Sequence, residues 1–180
     1  MKHIRTILIL LFVYLIVAVP FKVMEIIPGF TDIRPVIMLE PVYAVFFGIP
    51  GCIVMALGNL VMDAVSDSLR WSSIMGFVAN FSGPLLIWAY WHFWSPCSFS
   101  LRNGRNILRH IWIVFLSAIL EMALITPSVA LFYPEIDAKL FALSILLNNF
   151  LFPIIFGIPL IILIQEEMGF IPQKRAKGNE

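Results

Sequence analysis

Charge is scarce in this sequence. Lys and Arg number 12 and Asp and Glu 11 in 180 residues, 13% of the chain against 61% hydrophobic residues and a mean hydropathy of +0.95. Soluble domains carry about 25% charged residues, so the deficit excludes an ordinary water-soluble fold and calls for lipid as solvent. The net charge of +1 offers no footprint for nucleic acid. Cysteine is nearly absent: Cys52 and Cys97 stand in different segments, in no CxxC pair and at no ligand spacing, and both read as small hydrophobes. The polar/apolar alternation of a barrel is missing as well. Backbone groups in a bilayer must be satisfied internally, so the continuous apolar runs predict an all-α integral membrane protein.

Catalytic patterns are also lacking. An intramembrane protease needs a serine in GxSG, a GxGD aspartate or HExxH, and the nearest approach, Asn80-Phe81-Ser82-Gly83, lacks the leading glycine. Without a Walker A loop, the chain cannot draw on ATP by itself. His92 and His110 have no third ligand at metal spacing and read as interfacial side chains. No catalysis, metal or cofactor is expected.

Proline, glycine and charge divide what is present into a six-helix transmembrane bundle forming a single domain, 1–180. The first helix is expected over residues 6–27, stopping at Pro28-Gly29. The N-terminus has the outline of a secretory signal, but its apolar run passes Pro20 and five more spans follow, so retention is expected. The second segment, 35–48, is too short for the roughly 30 Å hydrocarbon core and must be short, tilted or re-entrant. The third, 51–65, follows Ile49-Pro50 and completes a compact hairpin. Long helices are expected over 72–94, 107–133 and 138–165, with a cytoplasmic tail over 166–180.

Orientation follows from Lys and Arg. With the N-terminus inside, Lys2, Arg5, Arg102, Arg105, Arg109, Lys174, Arg175 and Lys177 are cytoplasmic, and Lys22, Arg34, Arg70 and Lys139 are outside. Both termini are therefore expected in the cytoplasm of a prokaryotic cell, with the chain multi-pass in its plasma membrane. Tyr90, Trp91, Trp94 and Trp112 would mark the inner interface, Trp71 and Tyr133 the outer one.

Ionisable groups in apolar helices are costly and point to function. Glu40, Asp63 and Glu121, with Asn59, Asn80, Asn148 and Asn149, are expected toward the outer half or midplane, where they could line one outward-open cavity. Asn59 and Asp63 share a helical face, as do Gly76 and Asn80 on the next helix. Two readings stand for the asparagines, helix-packing contacts or ligands. Asp63 with Asp67 and Arg70 reads either as an outer ion pair or as a substrate site. Arg34 either pairs with Glu40 or anchors an anionic ligand group. Lys22 and Glu25 read as snorkelling interface residues.

Arg34-Pro35, the Phe46-Phe47-Gly48 turn, Gly58-Asn59 with Asp63, and Gly76-Phe77 with Asn80 together resemble the substrate-binding S components of energy-coupling factor transporters. The likeness covers about residues 28–95 by motif and the whole chain by hydropathy. It implies six helices with a short second one, capture of a vitamin-like or other small nutrient near the outer face, and a membrane scaffold subunit with two cytoplasmic ATPases as partners. Arg34, Glu40, Asn59, Asp63, Asn80, Glu121, Asn148 and Asn149 are then the candidate substrate ligands. The first helix departs from the family's AxxxA docking motif, since Ala18 is followed by Lys22, and Ala44 with Gly48 offers an alternative stripe. The competing readings are a structural subunit resembling the rod-shape-determining membrane protein, with no transported ligand, and a membrane enzyme built on Glu121 and Asp63. Buried acids favour the transporter.

Overall fold

In the computed structural model, which describes residues 2–21, 24–28, 30–97 and 99–167, the chain folds as a helical bundle capped at one end by a small β-hairpin. Helix α1 spans Lys2–Ala18 and closes in a 3-10 turn, Val19–Phe21. It ends well before residue 27. Residues 25–27 instead form strand β1, Glu25–Ile27, antiparallel to β2, Thr31–Asp32, in the register Glu25 to Asp32 and Ile27 to Thr31. Glu25 is thus a hairpin residue and not a snorkelling helix end; Lys22, Gly29 and the tail bearing Lys174, Arg175 and Lys177 lie outside the described residues.

A 3-10 turn, Pro35–Met38, leads into α2, Leu39–Phe47. Gly48 alone separates it from α3, Ile49–Val65, so Ile49 and Pro50 belong to the helix and not to the connection. Proline is tolerated there because first-turn N–H groups have no intrahelical acceptor. Gly48 has φ +60°, and a Cβ on it would lie 3.0 Å from the Trp88 indole nitrogen, so both backbone and space require glycine. Helix α4, Trp71–Ala89, ends in a π-turn, Tyr90–Trp94. Helix α5, Gly104–Phe132, starts at Asn103, whose side chain accepts from the Asn106 amide at 2.8 Å. Helix α6, Ala138–Phe152, is capped by Asp137 and runs through a π-turn, Pro153–Gly157, into α7, Ile158–Glu167.

Helix α1 packs on α3, α2 on α3 and α4, and α5 between α4 and α6. The main core joins Leu10 and Tyr14 to Ile37, Tyr43, Met55, Ile87, Val114 and Ile161. A smaller one under the hairpin joins Ile27, Ala79, Ile125, Val129, Phe141 and Ile145. Four helices, His3–Phe21, Trp71–Trp94, Gly104–Phe132 and Ala138–Glu167, are long and apolar enough to cross a membrane; Pro35–Phe47 and Ile49–Val65 are shorter. The surface agrees with lipid. Ile4, Leu8, Phe12 and Ile16 form an outward stripe on α1, each more than half exposed, while Glu40, Asn59, Asn80, Glu121 and Asn149 are buried. A water-soluble bundle distributes these residue types the other way round.

Several aromatic expectations change. Trp94, Trp112 and Trp71 are exposed, but Trp91 points inward and donates from its indole nitrogen to Nδ1 of a fully buried His110 at 3.1 Å. His110 is therefore an interior residue, enclosed by Trp91 and Phe99, and not an interfacial one. Cys52 is buried as expected of a small hydrophobe, whereas the Cys97 Sγ has polar neighbours, the Arg109 guanidinium at 3.1 Å and the Asn106 side-chain oxygen at 3.3 Å.

Candidate functional site

The hairpin roofs a cavity of about 160 Å³ at the end of the bundle where α3 stops and α4 begins. Its walls carry Asp32 and Arg34 from the hairpin strand and its exit, Asn59 and Asp63 from α3, Arg70 and Ser73 at the start of α4, and Asn80 one layer deeper. Ile125, Phe141 and Ile145 supply the apolar side. Four of the sequence candidates, Arg34, Asn59, Asp63 and Asn80, therefore meet here.

Arg34 organises this group. Its guanidinium donates to the Asn59 side-chain oxygen, lies 3.9 Å from the Asp32 carboxylate, and interacts electrostatically with Asp63. Asn59 can lean across because Gly76 of α4 has no side chain: a Cβ there would come within 3.2 Å of the Asn59 amide nitrogen. Asn80 donates to the Gly76 carbonyl at 2.8 Å. Pro84, one turn on, has no N–H for the Asn80 carbonyl, which opens the backbone of α4 below the cavity. Arg70 places its guanidinium 4.4 Å from the centre of the Phe30 ring and 5.7 Å from that of Tyr133, and the two rings meet edge to face with centroids 5.0 Å apart, which ties hairpin, α4 and the end of α5 together. Tyr14 of α1 reaches the same region from below. Its hydroxyl interacts electrostatically with Arg34 but forms no hydrogen bond of good geometry.

The other four candidates do not line this cavity, so the expectation of one shared site is corrected. Asn148 of α6 is committed to the hairpin backbone: its side-chain oxygen accepts from the Arg34 amide at 3.2 Å and its amide donates to the Asp32 carbonyl at 2.9 Å. Glu40, Glu121 and Asn149 form a separate, deeper cluster. The expected Arg34–Glu40 pair is absent, because α2 turns Glu40 toward α5, where Ser117 donates to it at 2.7 Å. Asn149 donates to the other carboxylate, Glu121. Gly83 makes this packing possible, since a Cβ on it would collide with Glu121 Oε1 and come within 2.7 Å of Ser117 Oγ.

Sequence reasoning passed over Tyr14, Ser73 and Ser117. Tyr14 is an apolar-run residue whose place beside Arg34 and against Gly58 shows only in the fold, and the two serines carry no signal beyond membership of an apolar helix. The alternative docking stripe also changes meaning, since Ala44 is fully buried and the Gly48 position faces Trp88; neither lies on the surface. Comparison with protein-family models, curated proteins and solved structures gives no match.

Proposed function

We propose that this chain is a membrane-embedded solute receptor, with six helices in the bilayer, the hairpin on the outer face and both termini in the cytoplasm. The observation that carries this reading is the cavity under the hairpin, built from paired charges and amides at one end of an otherwise apolar bundle. Holding such groups in a lipid-solvated fold costs stability, which is the mark of a site kept for a ligand. At about 160 Å³ it is smaller than the roughly 300–1,000 Å³ of drug-sized sites. It suits a small polar nutrient. Glu25, Asp32, Asp63 and Asp67 outnumber Arg34 and Arg70 around it, favouring a cationic or polyhydroxylated solute.

The resemblance to S components supplies the rest of the proposal: inward release driven by a membrane scaffold subunit and two ATPases. Native mass spectrometry of the purified chain tests the reading. The expected result is a co-purifying small molecule that is lost in Arg34→Ala and Asp63→Asn but kept in Arg105→Ala at the opposite end. A preparation with no adduct, no uptake in cells and only cell-shape proteins attached favours the structural-subunit alternative and overturns the receptor.

A further inference from the structure

The deeper cluster has a chemistry of its own. Glu121 of α5 and Glu40 of α2 are 0% and 2% exposed, and Asn149 beside them is 2% exposed. From Glu121 to the end of α5, and from the start of α6 to Asn149, is about three turns, or about 17 Å at 1.5 Å per residue, which is close to the middle of a hydrocarbon core. Two carboxylates and a carboxamide oxygen therefore crowd together at the depth where ionic charge is least tolerated.

Donors fall short of acceptors there. Ser117 gives its one proton to Glu40 Oε1 and Asn149 gives an amide proton to Glu121 Oε2, leaving Glu121 Oε1 and Asn149 Oδ1 buried with no partner. The charged and titratable neighbours do not supply the deficit. From α3, Cys52 interacts with Glu40 electrostatically; from the hairpin end, Arg34 acts on Glu121 electrostatically while its guanidinium donates to Asn59. On α4 the facing residue is Gly83, without a side chain. Among the described residues no three His, Cys, Asp or Glu gather to hold a metal ion. What completes the cluster must donate a hydrogen bond and occupy almost no volume, because even a Cβ added to Gly83 would collide with Glu121 Oε1 and stand 2.7 Å from Ser117 Oγ.

We propose that Glu121, Ser117 and Glu40 form a buried proton-binding site in which one proton is shared between two carboxyl groups through the Ser117 hydroxyl. With the proton on Glu121 Oε1, that oxygen, unpartnered in the structure and placed with Ser117 Oγ beside Gly83, turns to donate to Ser117 Oγ, which donates to Glu40 Oε1. Transfer breaks the Glu121 O–H bond as a new one forms on Ser117, while the original Ser117 O–H bond breaks as one forms on Glu40. The negative charge moves from Glu40 to Glu121, and no atom or electron is gained or lost. The site joins α2 to α5, and it stands whatever the outer cavity binds.

Infrared spectroscopy of the purified full chain in potassium buffer at neutral pH tests this. The expected spectrum contains a protonated-carboxyl stretch, separated from the carboxylate bands and shifted by deuterium oxide, that is lost in Glu121→Gln/Glu40→Gln. Ser117→Ala, a milder change, should keep the band and move its position by removing the bridging hydroxyl. A wild-type spectrum with both acids ionised overturns the proposal without recourse to any variant. So does a band unmoved in Ser117→Ala, or one that disappears when sodium replaces potassium, which would assign the site to a metal cation.

Discussion

The side chain of Asn148 donates to the backbone carbonyl of Asp32, 116 residues earlier in the chain, at 2.9 Å. Its oxygen also accepts from the next-but-one amide, so a single buried carboxamide on α6 copies the pairing a third strand would offer and fixes the hairpin over the cavity.

Replacing Asn148 with Leu keeps the volume and removes both bonds, leaving buried backbone groups unpaired at a cost of about 1–3 kcal/mol. Amide exchange across residues 30–38 should then be about ten- to hundredfold faster, with the rest of the bundle unchanged. Hydrogen exchange read by mass spectrometry checks this; unaltered protection would mean that the strand pairing alone holds the hairpin.

Tyr14 is fully buried against Gly58, where an added Cβ would stand 2.5 Å from the ring. Gly58→Ala should gain about 1 kcal/mol in helix propensity and lose more, since overpacking costs about 1–3 kcal/mol. Thermal unfolding in detergent should show a lower midpoint. Gly58→Ala combined with Tyr14→Leu should recover part of the loss.

Gly83→Ala drives a methyl group into Glu121 and Ser117. It should destabilise the bundle by about 1–3 kcal/mol. Combined with Ser117→Ala the effects should be non-additive by more than about 0.5 kcal/mol, because the two changes act on one shared space. Additive denaturation energies would show that α4 and α5 adjust independently.

Orientation is accessible to labelling. In a Cys97→Ser background, where Cys52 is buried, Asp67→Cys should react with an impermeant maleimide on intact cells. Arg105→Cys should react only in inverted vesicles. The reverse pattern would place the cavity on the cytoplasmic face.

Helix positions were legible because their causes are local. Pro134 to Asp137 had to interrupt α5 and α6, and Asp137 duly caps the latter with bonds to the Lys139 and Leu140 amides. The misreadings arose where apolar character persists while conformation changes. Glu25–Ile27 continues the hydrophobic run of α1 yet is a strand, because hydropathy does not separate a short strand from a helix end. Ile49-Pro50 looked like a break but begins a helix, since a first-turn proline has no bond to lose. His110 and Trp91 looked interfacial by composition, but they pair by a hydrogen bond and pack together against Phe99 in the interior.

What the sequence by itself determined is the apolar character and the list of helices: few charges, four segments long and apolar enough to cross a membrane, and a short pair between the first and the rest. Tertiary structure alone decided which polar groups work together. Asn148 and Asn149 are neighbours in the chain, yet successive helix positions point about 100° apart, so one pins the hairpin and the other meets Glu121. Arg34 and Glu40, one turn and a half apart in sequence, likewise part company, the first to Asn59 and the second to Ser117. Spacing along one helix limits which face a side chain can occupy. The partner on that face is set by how the helices pack.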